Sequence, residues 1–170
     1  AVAFDPALFS DEFEGNSLDP KWRVFRPELA NVRVEGGQRA ITMNQGALWF
    51  QNQQSVLVYQ EIIGDFAVEG AVYSRSTASS NDPPGNTIQL GGIMARHGAA
   101  VSENYVFAVV GFDENDLSVE TKSTLNGVSE IGQTLDRHAL CAEDLERFLF
   151  ERPAARRVTH KDRRMADQDL

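Results

Sequence analysis

Apolar and polar residues alternate with period two through a series of short stretches in the first 132 residues, separated by clusters of turn-forming residues. VRVEGGQRAITM carries two β-branched runs around Gly36-Gly37, a pair whose tolerance of positive φ suits a two-residue hairpin. In DFAVEGAVYSRS, Phe66, Val68 and Gly70 alternate with Ala67, Glu69 and Ala71, and STASSNDPPGN then reads as a loop. IQLGGIMAR, NYVFAVVGF and LSVETKST continue at a spacing of roughly ten residues, the rhythm of an all-β chain. The pattern predicts an antiparallel β-sandwich.

After Gly132 the period changes. Leu145, Phe148 and Leu149 recur at three- and four-residue spacing, Glu143 and Asp144 fall at the front, and Pro153 would end the element. This predicts a helix over 142–152. Composition breaks at the same place: all 13 Gly lie at or before Gly132, and 8 of the 16 Lys and Arg fall beyond it. Residues 1–132 are therefore expected to form a β-sandwich and 133–170 a divergent tail. The run AARRVTHKDRRMADQDL, poor in apolar residues, is expected to be loosely docked and solvated.

Charge narrows the function. A net charge of −9 disfavours a nucleic-acid backbone or an anionic membrane as partner and leaves neutral ligands open. No run of eighteen apolar residues predicts a transmembrane helix. No Gly-rich loop ends in Lys-Ser or Lys-Thr, and His97, His138 and His160 are scattered, so neither phosphate chemistry nor a zinc site is read. Cys141 is the only cysteine, which forbids an intrachain disulfide and leaves the redox compartment open.

FSDEFEGNSLDPKW, residues 9–22, resembles the opening strand of the concanavalin-A-like lectin and glucanase superfamily, with Phe9, Phe13, Leu18 and Trp22 as anchors about a Gly15-Asn16 turn. SVLVYQEIIGDFAVEGAV, GGIMARHGAAVSENYVFAVVG and VETKSTLNGVS follow in the order of a bacterial laminin-G-like branch, so the resemblance spans residues 8–132. It implies a jelly roll of two curved antiparallel sheets whose concave face holds a glycan in many relatives. It also implies further strands after the VETKST hairpin, where this chain turns into its tail. A helix from the tail, a partner's strand, or a frameshifted or truncated end would each account for that departure. A sandwich lacking strands exposes an apolar edge, so homo-oligomerisation through that edge is expected where nothing covers it. The opening AVAFDP, without Met, predicts that a signal peptide or an upstream domain precedes this numbering, and with the resemblance suggests a secreted or cell-envelope protein.

Two candidate sites follow. GFDENDLSVE holds Glu114, Asp116 and Glu120 at even spacing, and glucanases of the superfamily carry Glu-x-Asp-x-Glu. On one extended strand, however, Glu114 and Glu120 would stand about 20 Å apart at Cα, beyond the roughly 5–9.5 Å between working carboxyl groups. Ser118 occupies the middle position between Asp116 and Glu120, and Asp113 to Asp116 suit a turn, so no catalytic residue is assigned. Asp116 and Glu120 form the alternative, hydrolytic pair. The ligand-binding candidates are Arg96, Glu120 and Lys122, which alternation places on one side of their strands, with Trp49, Tyr59 and Tyr105 as stacking surfaces for a glycan. Cross-strand ion pairs and core packing are the competing structural roles. No cofactor is read. Asp5, Asp11, Glu12 and Asp19 offer hard oxygens of the kind calcium takes, without an ordered binding loop, so no metal is assigned.

Overall fold

The computed structural model describes residues 5–79, 81–85, 87–98, 102–114, 117–136 and 148–151. Its strands are β1 (Arg23–Phe25), β2 (Ala30–Glu35), β3 (Gln38–Met43), β4 (Leu57–Tyr59), β5 (Ala67–Gly70), β6 (Gln89–Arg96), β7 (Tyr105–Phe112), β8 (Leu117–Leu125), β9 (Val128–Asp136) and β10 (Phe148–Glu151). Among the described residues, the helical elements are two single 3-10 turns, Pro6–Leu8 and Pro27–Leu29. The fold is all-β and antiparallel. One four-stranded sheet runs β6-β7-β8-β9, and three two-stranded ribbons pair β1 with β4, β2 with β3, and β5 with β10.

The hairpins follow from their turn residues. Gly36 and Gly37 both take positive φ, 60° and 72°, as a type I′ turn requires, and β2 and β3 pair from Glu35↔Gln38 outward. Asn126 and Gly127 repeat the solution between β8 and β9 at 52° and 76°. A Cβ on Gly127 would collide with the Asn52 side chain, so this turn needs glycine for space as well as for φ.

Two expectations are corrected. Residues 9–22 form no opening strand, and the first strand begins at Arg23. Short-range capping supersedes the ladder: Asp11 Oδ1 accepts from the Phe13 amide at 2.8 Å, Asp19 Oδ1 accepts from the Lys21 amide at 2.8 Å, and Phe13 takes a left-handed φ of 53°. In the tail, Phe148–Glu151 is a strand rather than part of a helix, paired with β5 from Phe148↔Gly70 to Glu151↔Ala67. A short apolar run fits either period, and the available partner edge decides. The remainder of 142–152 lies outside the described residues, as do Cys141, His138 and His160.

Period-two alternation gives the main sheet two faces. On one, direct cross-strand pairing aligns Arg96, Tyr105 and Thr124, then Met94, Phe107 and Lys122, then Gly92, Val109 and Glu120. The other presents Ile93, Ala108, Val110 and Val119, and β5 approaches it closely enough that a Cβ on Gly70 would lie 3.7 Å from Ile93 Cδ1. Tyr105, Phe107 and Val109 form the buried core of the first face, packed by Trp49, Leu90 and Met94. β9 bulges against β8: between the pairs Glu120↔Thr134 and Lys122↔Ile131, Gly132 and Gln133 together stand opposite Thr121.

Candidate ligand-binding site

The hairpin β7-β8 settles how the acidic stretch is used. Glu114 sits in the connection at φ 100°, Glu120 lies inside β8, and Asp116 falls outside the described residues. Glu114 and Glu120 thus belong to different parts of a turn and strand, as the turn chemistry predicts.

Glu120 and Lys122 lie on the same face as Arg96 and Tyr105, and residues 47–56 cross over that face with Trp49 and Phe50. Starting at one end, the Arg96 guanidinium stands 5.2 Å from the Phe25 ring centre and 5.7 Å from that of Trp49. Trp49 meets Tyr105 edge-on at 5.6 Å, and Tyr105 stacks with Phe107 at 5.8 Å. The Lys122 ammonium lies between Phe107 and Phe50, at 4.9 and 5.0 Å, and 3.0 Å from Glu120 Oε1. Rings and cations alternate along a single strip, an arrangement in which each charge faces the negative side of a π system. Tyr59 lies on β4 opposite Arg23 of β1, and the other five expected residues, Arg96, Glu120, Lys122, Trp49 and Tyr105, share this strip.

The charges are paired and under cover. Arg96 Nε and Nη2 donate to Glu103 Oε2 and Oε1, both at 2.8 Å, in a fork that only a guanidinium makes with a carboxylate. Those hydrogen bonds hold the Glu103 carboxyl below its ordinary range against the opposing effect of burial, with a further bond from Gln54 Nε2 at 2.6 Å. The same bonds raise Arg96. Glu120 and Lys122 are 7% and 9% exposed, so their charges meet each other rather than bulk water.

Three polar atoms on this face are buried with no hydrogen-bond partner among the described residues: Tyr105 Oη, Ser118 Oγ and Glu120 Oε1. The last has Lys122 nearby at 3.0 Å but outside hydrogen-bond geometry. Buried oxygens left unmatched cost about 1–3 kcal/mol each, and a hydroxyl-rich partner would relieve them.

Glu103, Phe25, Phe50 and Phe107 were not read from the sequence as members of this site. Period two from Tyr105 points directly to Phe107. Glu103 lies before β7 in a connection whose closure on Arg96 no strand pattern encodes.

Three of the four acids considered for calcium accept local hydrogen bonds. Asp5 Oδ1 accepts from the Ala7 amide, Asp19 from the Lys21 amide, and Asp11 from Phe13 and from Trp22 Nε1 at 2.7 Å. Asp11, Glu12 and Asp19 border an open depression of about 600 Å³. No group of three His, Cys, Asp or Glu suited to a metal occurs among the described residues. Beside Asp11, the Arg39 guanidinium lies over both the Phe13 and Trp22 rings, 5.1 Å from each, while the rings meet each other at 5.6 Å, and its pKa is lowered by burial. That clamp fastens residues 9–22 to β3.

Comparison with family models, curated proteins and solved structures returns no match.

Proposed function

We propose that this chain is a non-catalytic binding module, a laminin-G-like jelly roll that takes a carbohydrate or another neutral polar ligand on the Arg96–Glu120 face of its main sheet. One observation carries the reading: aromatic rings and polar groups converge on one sheet face where three buried oxygens have no hydrogen-bond partner among the described residues. Sugars are bound by that combination, apolar ring faces stacking on aromatics while hydroxyl groups satisfy fixed polar atoms. Arg96 and Lys122 support the surface through their ion pairs with Glu103 and Glu120, and Trp49, Tyr59 and Tyr105 supply the stacking area. The concave face of a jelly roll and a location outside the cytoplasm belong to the same proposal.

A panel of neutral oligosaccharides titrated into the protein tests it. Binding without release of reducing sugar is expected, weakened about tenfold by Tyr105→Phe, which removes one hydrogen-bonding group. Hydrolysis abolished by Glu120→Gln would replace the module with a glycosidase using Glu120.

A second reading, an assembly domain completed by another chain, is favoured by a separate observation. Leu125, Val128 and Ile131, at the β8-β9 end of the sheet, are 69%, 66% and 58% exposed, and β9 is an edge strand among the described residues. Exposed apolar side chains beside an unpaired ladder suit strand addition.

A further inference from the structure

Ligand access to this face depends on residues 47–56, which carry no regular secondary structure and bear the two rings that cover it. Trp49 Nε1 donates to Val56 O at 3.1 Å, and the Gln53 amide donates to Phe50 O at 2.8 Å. The first bond ties the indole to the residue just before β4, and the second closes a turn within the segment.

Its attachments to the surroundings are the packing of Trp49 on Phe25, Arg96 and Tyr105 and of Phe50 on Lys122, together with a few polar contacts at its tip. The Gln51 amide donates to Ser129 Oγ at 2.7 Å, and the Glu103 amide donates to Asn52 Oδ1 at 3.3 Å. Gln54 Nε2 donates to Glu103 Oε1, and Arg26 Nη1 donates to Gln54 O at 2.9 Å. Such bonds contribute roughly 0.5–1.5 kcal/mol apiece, less than the ladder that holds β7 between β6 and β8. Gln51 adds local strain with φ 54°. At the segment's start Gly46 is exposed, with nothing within 4 Å of the position a Cβ would take, which leaves room for backbone rotation.

We infer that residues 49–54 are a hinged cover over the ligand face and that Glu103 is its latch, a positioning residue that holds Gln54 while remaining paired with Arg96. This inference rests on the proposed ligand-binding reading and adds its regulation. With the cover down, Tyr105 Oη, Ser118 Oγ and Glu120 Oε1 have no hydrogen-bond partner among the described residues. A polyhydroxylated ligand that satisfies them binds the open form preferentially, and this differential affinity is what shifts the population. Lifting Trp49 and Phe50 uncovers Tyr105, Phe107 and Lys122 but leaves the Arg96–Glu103 fork in place.

Hydrogen exchange of the whole chain tests the cover directly. In the wild type, amides of 49–54 are expected to exchange at least about tenfold faster than those of β7 and β8 after correction for intrinsic rates. Gln54→Ala leaves the Arg96–Glu103 pair intact and is expected to speed exchange in 49–54 about fivefold further, with Val109 and Val119 unchanged. Glu103→Gln is expected to loosen the same segment. Protection in 49–54 equal to that of β7 and β8 would overturn the cover, as would Gln54→Ala loosening the segment and the sheet together. Association of cellohexaose and maltohexaose, measured in parallel, separates the two proposals. A cover that opens as expected while neither sugar binds either protein leaves the cover standing and removes the sugar reading. Sugar binding at the same association rate to wild type and Gln54→Ala, with 49–54 fully protected, removes the cover and keeps binding.

Discussion

Arg96 sits against two aromatic rings with the Glu103 carboxylate as its counterion. Removing that carboxylate leaves a guanidinium under cover without a partner charge, the costly way to break an ion pair. Glu103→Gln is expected to lower stability by about 2–4 kcal/mol at pH 7 in urea unfolding, part of the loss being offset by the amide oxygen that remains. The pH dependence has a definite sign. The folded-state pKa of Glu103 is depressed below 4.5, so its stabilisation is present above that pH and is lost as pH falls through the folded value. The stability gap between wild type and Glu103→Gln should therefore close as urea midpoints are followed from pH 5 to pH 2. A gap that stays constant over that range would contradict the ionic role. The sequence marked Arg96 as a candidate because alternation aligns it with charged neighbours, but its counterion comes from a connection that alternation does not reach.

The β2-β3 hairpin was the most legible element, since Gly36-Gly37 combines turn chemistry with β-branched flanks; Asn126-Gly127 offers the same chemistry but was not read as a turn. Residues 9–22 were misread because Phe9 and Phe13 look like strand anchors, whereas Asp11 and Asp19 divert the backbone into local bonds. Phe148–Glu151 was misread because its apolar spacing also fits a helix, and only the β5 edge distinguishes the two. Leu149→Pro tests that pairing, because proline cannot donate to a ladder. It should reduce amide protection in Ala67–Gly70 while leaving β7 and β8 untouched; unchanged protection there would argue against β10. At the other hairpin, Gly127→Ala is expected to cost about 1–3 kcal/mol in thermal or urea unfolding. Its φ is 76° and its Cβ would meet Asn52.

For the molecule as a whole, two opposed terms govern association. Leu125, Val128 and Ile131 favour joining another surface, while a net charge of −9 makes copies repel. Salt screens the second and spares the first. Light scattering should therefore show association increasing as ionic strength rises from low to moderate, with Val128→Lys and Ile131→Lys suppressing it. A monomer at every salt concentration, binding no hydrophobic dye, would count against the assembly reading. Alternation made the all-β class plain, but it cannot say how many strands one sheet gathers; that depends on edges meeting in space.

The two arginine stacks give the chain a built-in pair of optical reporters. Trp22 rests against Arg39 in the N-terminal clamp, Trp49 lies near Arg96 in the cover, and they are the only two tryptophans. Each indole will change emission when its own guanidinium departs. In Trp22→Phe and Trp49→Phe proteins, unlabelled fluorescence can follow loosening of the cover and of the clamp separately.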